Sequence, residues 1–253
     1  MAKLNRNGVN IYYEVHGSGP VILLSHGYSA TSEMWRGQIE PLSRQHTLVL
    51  WDMRGHGLTD YPLDLTAYSE ETTVADMAAL LDAVNTPSAV VGGLSLGGYM
   101  SMAFYKAHPE RVKALLIIDT GPGYRNDQAR AEWNRFALDR AERLDREGLA
   151  ALNKASPEVM TSRHRSAEGL VLAARGMLTQ RNASVIDALP SISVPAIVIV
   201  GAKDKPFLNA ADYMAKKIPG AEKIMIPDAG HAVNLDQPAA FNAAVLDFLG
   251  RLH

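Results

Sequence analysis

The 253-residue chain has no cysteine. Disulfides, thiolate metal sites and cysteine nucleophiles are thereby excluded. The same absence is compatible with a reducing compartment, and a cytoplasmic location is expected. An excess of charge of one sign is also missing: 25 Lys and Arg stand against 27 Asp and Glu, for a formal net charge of −2. No basic surplus marks a nucleic acid or an anionic lipid surface as a partner. Long hydrophobic runs are missing too. The apolar stretches are strand-sized, far short of the roughly 18–20 residues of a membrane span. The residues from Met1 to Gly8 hold no apolar core of signal-peptide length. No internal repeat, low-complexity segment or interdomain linker is visible.

What is present has a rhythm. Val21–Leu24, Leu48–Trp51, Ala89–Val91, Ala114–Ile118 and Ala196–Val200 are β-rich and apolar at successive positions. Buried parallel strands, covered on both faces, read this way. A shorter run follows at Lys223–Pro227, and Ile11–Val15 reads as an outer antiparallel strand. Between these runs lie helical patterns. Val74, Met77, Ala78, Leu81 and Val84 share one helix face, with Glu70 and Glu71 in the first turn, where the helix dipole favours carboxylates. Phe241, Val245, Phe248, Leu249 and Leu252 form a similar stripe. Such alternation predicts an α/β fold with helices covering a mostly parallel sheet. The rhythm breaks between about 121 and 189, where no strand is evident and Asp127–Glu147 is strongly helical. Residues 1–120 and 190–253 are therefore read as one core, and 121–189 as an inserted helical cap over the sheet's carboxyl edge.

Gly93-Leu94-Ser95-Leu96-Gly97-Gly98 sits between a strand ending near Val91 and a helix running through Tyr99–Tyr105. A strand–Gly-x-Ser-x-Gly–helix turn is sharp, and its small flanking residues relieve clashes. It places a serine hydroxyl at a helix amino terminus, where N–H groups and the dipole favour developing negative charge. Ser95 is the candidate nucleophile. A hydroxyl needs a base to take its proton, and a turn of this type goes with the chain order Ser, Asp/Glu, His. His231, in Asp228-Ala229-Gly230-His231-Ala232, follows the last short strand and is the candidate base. Asp204, in Gly201-Ala202-Lys203-Asp204, is the candidate orienting acid, with Asp119 as the rival one strand earlier. Ser25-His26-Gly27-Tyr28 follows a strand and can turn backbone donors toward the serine. The Tyr28 and Leu96 N–H groups are assigned to an oxyanion hole. Asp52-Met53-Arg54-Gly55-His56-Gly57 reads as a hydrogen-bonded structural turn. Trp133, Phe136 and Met160 in the cap, with Met100 below, are candidates for an apolar pocket wall. The cap arginines Arg125, Arg130, Arg135, Arg163 and Arg165 either include one that binds a substrate carboxylate or form a solvated face balanced by Glu132, Glu142 and Glu147.

These segments, in this order and joined by His108-Pro109-Glu110-Arg111-Val112, resemble the α/β-hydrolase superfamily over nearly the whole chain. The resemblance is nearest to small bacterial carboxylesterases and 3-oxoadipate enol-lactonases. It implies a mostly parallel eight-stranded sheet flanked by helices, with Ser95, Asp204 and His231 as catalytic triad. It implies hydrolysis of a small-molecule carboxylic ester or lactone through an acyl-enzyme, with no cofactor and no metal. Ser95 stands where the dehalogenases and epoxide hydrolases of this fold carry Asp. Leu94 and Ala232 stand where carbon–carbon hydrolases usually carry Asn and Trp. Carbon–carbon hydrolysis, cofactor-free perhydrolysis and non-catalytic ligand binding are the other activities this fold accommodates.

Overall fold

The computed structural model describes residues 2–153 and 156–252; Met1, Lys154, Ala155 and His253 lie outside the described residues. Eight strands form one sheet in the order β1-β2-β4-β3-β5-β6-β7-β8. They are β1 (Ala2–Arg6), β2 (Val9–His16), β3 (Val21–Ser25), β4 (Thr47–Trp51), β5 (Ala89–Leu94), β6 (Val112–Ile118), β7 (Ala196–Gly201) and β8 (Glu222–Ile226). β1 pairs antiparallel with β2, and β2 antiparallel with β4; all other pairs are parallel. Ile11–Val15 is thus antiparallel as expected but lies one place in from the edge. The outermost strand is β1, whose alternation of half-buried and exposed residues is too polar to announce itself.

The core helices are α1 (Arg36–Ser43), α2 (Glu70–Ala83) and α3 (Leu96–Ala107). The interval between β6 and β7 carries α4 (Asp127–Glu147), α5 (Pro157–Met160), α6 (Ala167–Ala173) and α7 (Ser184–Ala188). After β7 come α8 (Lys205–Lys217), α9 (Val233–Asp236) and α10 (Pro238–Gly250). Caps define several starts. Ser69 Oγ accepts the Thr72 N–H at 3.0 Å at α2, and Asn126 Oδ1 accepts the Ala129 N–H at 3.0 Å at α4. No strand occurs among the described residues of 121–189, and no described helix is long and apolar enough to cross a membrane.

Successive strand residues feed two separate apolar layers. Leu23, Val49, Leu115, Ile117 and Val198 pack on the α2–α3–α4 side. Leu24, Leu50, Leu116, Ile118 and Ile199 pack with Trp35, Phe241 and Val245 on the α1–α10 side. This two-sided burial is why the strands read as continuous apolar runs. It also places the site. The chain steps from β3 outward to β4 and then returns to the other side of β3 as β5, so the connections diverge at the carboxyl ends of β3 and β5. Open α/β sheets bind ligands in that crevice.

Candidate active site

Ser95 lies between β5 and α3 with φ 55° and ψ −117°, a region that side-chain-bearing residues rarely adopt. The surroundings hold it there. Its N–H donates to Ile118 O at 2.9 Å, and its carbonyl accepts the Tyr99 N–H at 3.0 Å and the Thr120 hydroxyl at 2.6 Å. The flanking glycines are required by close approach. A Cβ on Gly97 would lie 2.2 Å from Ser25 O, and one on Gly93 would lie 2.5 Å from the same atom.

Beyond β7, Asp204 precedes α8, and its carboxylate is 5 % exposed. Its Oδ2 accepts from His231 Nδ1 at 2.8 Å. Lys203, its sequence neighbour, instead pairs with Asp228 at the surface. The His231 loop is fastened to the end of β7 by the Lys203 N–H on Ala229 O, at 2.8 Å. It is closed on itself by the Gly230 N–H on Asp236 Oδ2, at 2.7 Å. The imidazole stacks on Phe207, with ring centroids 5.1 Å apart. With Nδ1 turned to the carboxylate, the tautomer this bond selects leaves Nε2 as the free acceptor. No hydrogen bond joins Ser95 to His231 among the described residues; the two side chains line one cavity of about 340 Å³.

Asp119, the rival acid, follows β6 and is near enough to Asp204 to feel its charge. It is buried in an unusual backbone conformation, with φ 41°. Its Oδ1 accepts the Gly201 N–H at 2.8 Å, and its Oδ2 has no donor. Burial, followed by the Asp204 charge, raises its pKa far above the usual carboxylate range.

Gly27 brings the β3 loop against the serine: a Cβ there would lie 3.5 Å from Ser95 Cβ. The N–H groups of Tyr28 and Leu96 have no acceptor among the described residues. The loop is held from both sides. The Tyr28 hydroxyl donates to Leu170 O at 2.9 Å, and the Ser29 N–H donates to His56 Nε2 at 3.1 Å. Asp52–Gly57 is the supporting turn. Asp52 Oδ1 and Oδ2 accept the Ser32 and Leu58 N–H groups at 2.7 and 2.9 Å, while Arg54 makes a buried pair with Asp76 at 2.6 Å. His26, His56 and His164 gather beside it. Burial lowers the pKa of all three, that of His26 to about 4.

Trp133 and Phe136 line the 340 Å³ cavity with Leu178, Pro206 and Phe207. A smaller cavity of about 90 Å³ continues from Ser95 past Tyr99, Thr120 and Met177. Met160 is a correction. It is 60 % exposed and lines neither cavity, because it sits at the end of the single-turn helix α5, facing outward. Met100 is fully buried in the core. None of the arginines singled out from the sequence reaches Ser95. Arg125 pairs with Asp187, Arg130 with Asp127 and Arg165 with Asp60; Arg135 is exposed, and Arg163 lines a separate cavity with Tyr12 and Asp52. The arginine in the 340 Å³ cavity is Arg140, accompanied by Glu158. Their signal was available for Arg140 alone: it follows Trp133 and Phe136 at helical spacing. No group of three or more His, Asp or Glu side chains that could hold a metal ion occurs among the described residues.

Comparison with known proteins agrees with this architecture. A Bacillus subtilis protein provisionally named 2-succinyl-6-hydroxy-2,4-cyclohexadiene-1-carboxylate synthase is 30 % identical, over 94 % of this chain and 95 % of that protein. The 3-oxoadipate enol-lactonase 2 of Acinetobacter baylyi is 27 % identical over 96 % of this chain and 94 % of its own. A thermophilic esterase from Thermogutta terrifontis, solved with malate bound, is similar in structure with a TM-score of 0.87, at 26 % identity and 100 % coverage of both chains. Residues 21–244 match the profile of the alpha/beta hydrolase family, and the chain belongs to that family.

Proposed function

We propose that the protein is a serine hydrolase that cleaves a small-molecule carboxylic ester or lactone through an acyl-enzyme intermediate. The observation that carries this reading is the 2.8 Å bond from His231 Nδ1 to Asp204, on a ring that shares its cavity with the strained Ser95. In this mechanism Ser95 Oγ attacks the ester carbonyl as His231 Nε2 takes its proton. Asp204 holds the tautomer and stabilises the imidazolium. The carbonyl oxygen, now negative, is received by the Tyr28 and Leu96 N–H groups, each worth roughly 3–4 kcal/mol in the transition state. His231 returns the proton to the leaving alcohol. Water, activated by the same base, then releases the acid. The residues of 121–189 act as a cap that roofs the pocket through Trp133, Phe136 and Leu178. A cytoplasmic setting is part of the same proposal. The named activities of the relatives, an enol-lactonase and an esterase among them, support this reaction class.

The test is labelling by a fluorophosphonate, with turnover of p-nitrophenyl esters of increasing acyl length. Label on Ser95, with turnover abolished in Ser95→Ala, is the expected result. Absence of label on a folded protein would favour a non-catalytic ligand-binding role, and full turnover by Ser95→Ala would refute the nucleophile.

A further inference from the structure

Arg140 is the one guanidinium lining the 340 Å³ cavity, and the mechanism above does not use it. It lies on α4 four residues beyond Phe136 and seven beyond Trp133, so the three side chains leave one face of the helix. All three line the cavity together with Ser95 and His231. The guanidinium carbon stands 4.6 Å from the centroid of the Phe136 ring. Stacking of this kind occupies a face of the planar group and leaves its in-plane N–H donors available. Nothing takes them up: Arg140 makes no hydrogen bond and no ion pair among the described residues. Its helix neighbours differ, since Arg143 and Arg146 both pair with Glu147, and Arg130 pairs with Asp127.

Arg140 is exposed at the mouth of the cavity, so its donors are accessible to an incoming ligand. The side chain is open to the cavity, yet enough protein surrounds it that burial lowers its pKa; Tyr28 and Glu158 act in the opposite direction. Glu158 lines the same cavity and is 4 % exposed, with the Ser156 hydroxyl on its Oε1 and no partner on its Oε2. It supplies distant compensation without approaching within the 4.0 Å of an ion pair. The rest of the lining is mostly apolar, with Trp133, Phe136, Val159 and Leu178 beside Tyr28 and Ser156; Arg140 also borders a neighbouring cavity with Arg143 and Asn153. A guanidinium with unfilled donors beside an apolar wall is matched by a ligand that brings its own acceptors.

We propose that Arg140 is a specificity-determining residue that receives the carboxylate of an acidic ester or lactone while the scissile carbonyl rests at Ser95. This rests on the serine-hydrolase reading. A carboxylate matches the guanidinium fork with two parallel hydrogen bonds. A phosphate dianion fits less well, because Glu158 lines the same cavity and no second Lys or Arg does among the described residues. The acid can belong to the acyl part or the alcohol part, and substrates separate the two.

The experiment compares kcat/KM for monoethyl against diethyl glutarate and adipate, and for 4-acetoxybutanoate against butyl acetate. It uses the wild type, Arg140→Gln, Arg140→Lys and Ser95→Ala. The expected result is a wild-type preference for the acidic member of one set. That acidic-to-neutral ratio falls at least tenfold in Arg140→Gln, mainly through KM, and falls less in Arg140→Lys, which keeps the charge but not the fork. Should Arg140→Gln not fold, the Lys variant carries the test through its KM. A wild-type preference for neutral esters overturns the proposal, as does a ratio unaffected by either substitution. Loss of turnover in Ser95→Ala shows that such a flat ratio refutes Arg140 alone. Retained turnover there overturns the serine reading and this inference with it.

Discussion

Asp119 and Asp204 follow the neighbouring strands β6 and β7, and the Asp204 charge adds to burial in raising the Asp119 pKa. Asp119 Oδ1 accepts the Gly201 N–H, and its buried Oδ2 has no hydrogen-bond partner among the described residues. Asp204 in turn accepts from His231 Nδ1. A protonated Asp119 would have its Oδ2 available to donate to Asp204, and variants at Asp119 test that role.

Substitution at Asp119 separates that role from mere bulk. Asn keeps both a donor for Asp204 and an acceptor for Gly201, so Asp119→Asn is expected to retain most ester turnover. Asp119→Leu is expected to lose at least tenfold in kcat, since a hydrogen bond to a charged group is worth roughly 1.5–3 kcal/mol. The sign of the pH effect follows from the raised folded pKa. The unfolded carboxyl ionises near pH 4, and from there upward the buried acid costs stability that Asn does not. Asp119→Asn should therefore melt higher than wild type by a larger margin at pH 8 than at pH 4.5. Equal turnover losses in the two variants would count against the donor role.

Replacement of Asp204 by Asn should leave the fold intact and lower kcat by about 10⁴-fold, because the amide selects the wrong imidazole tautomer. Circular dichroism and burst kinetics on an activated ester check both halves. A fall of less than tenfold would move the orienting role elsewhere, with Asp119 the adjacent carboxyl.

The three histidines near Asp52 predict an acid-sensitive fold. His26 Nε2 accepts the Met53 N–H, His56 Nε2 the Ser29 N–H and His164 Nδ1 the Gly57 N–H. Each bond requires a neutral ring. Because burial depresses the folded pKa of all three, their contribution is fully present above the unfolded value of about 6.5. It is lost as pH falls toward the value of about 4 held by His26. Urea midpoints at pH 7.5, 6, 5 and 4.5 should decline steadily. His164 also bonds Ser29 O at 2.9 Å, so turnover should fall together with stability through the neighbouring Tyr28 loop. A flat stability profile over this range would contradict the burial argument.

Gly97→Ala is expected to cost about 3 kcal/mol, at the upper end for overpacking. Its Cβ would meet the Ser25 carbonyl, which belongs to β3 and cannot yield without moving the sheet. Gly250→Ala near the end of α10 meets nothing within 4 Å and should be neutral or slightly stabilising. Denaturant melts of the pair test the difference.

The amino-acid sequence by itself determined the strands β2 to β8, the mostly parallel character of the sheet and the order of the chemistry-bearing segments. Those features are local or periodic: Ile117 and Ile118 must both be apolar because they enter opposite layers. The Ser95 turn was legible because a strand, two close glycines and a helix leave little other geometry. Edge strand β1 was not, because one face of an edge meets water and its apolar signal shrinks to Leu4. Only the tertiary structure decided that Asp119 lies near enough to Asp204 to feel its charge and that the arginine sharing a cavity with Ser95 is Arg140 rather than Arg125, Arg130, Arg135, Arg163 or Arg165. Helical periodicity says which residues share a face of α4. Which face meets the cavity depends on how the helix lies over the sheet, and that is set by bonds between distant residues, such as Trp133 to Leu178 O and Asn134 to Gln180.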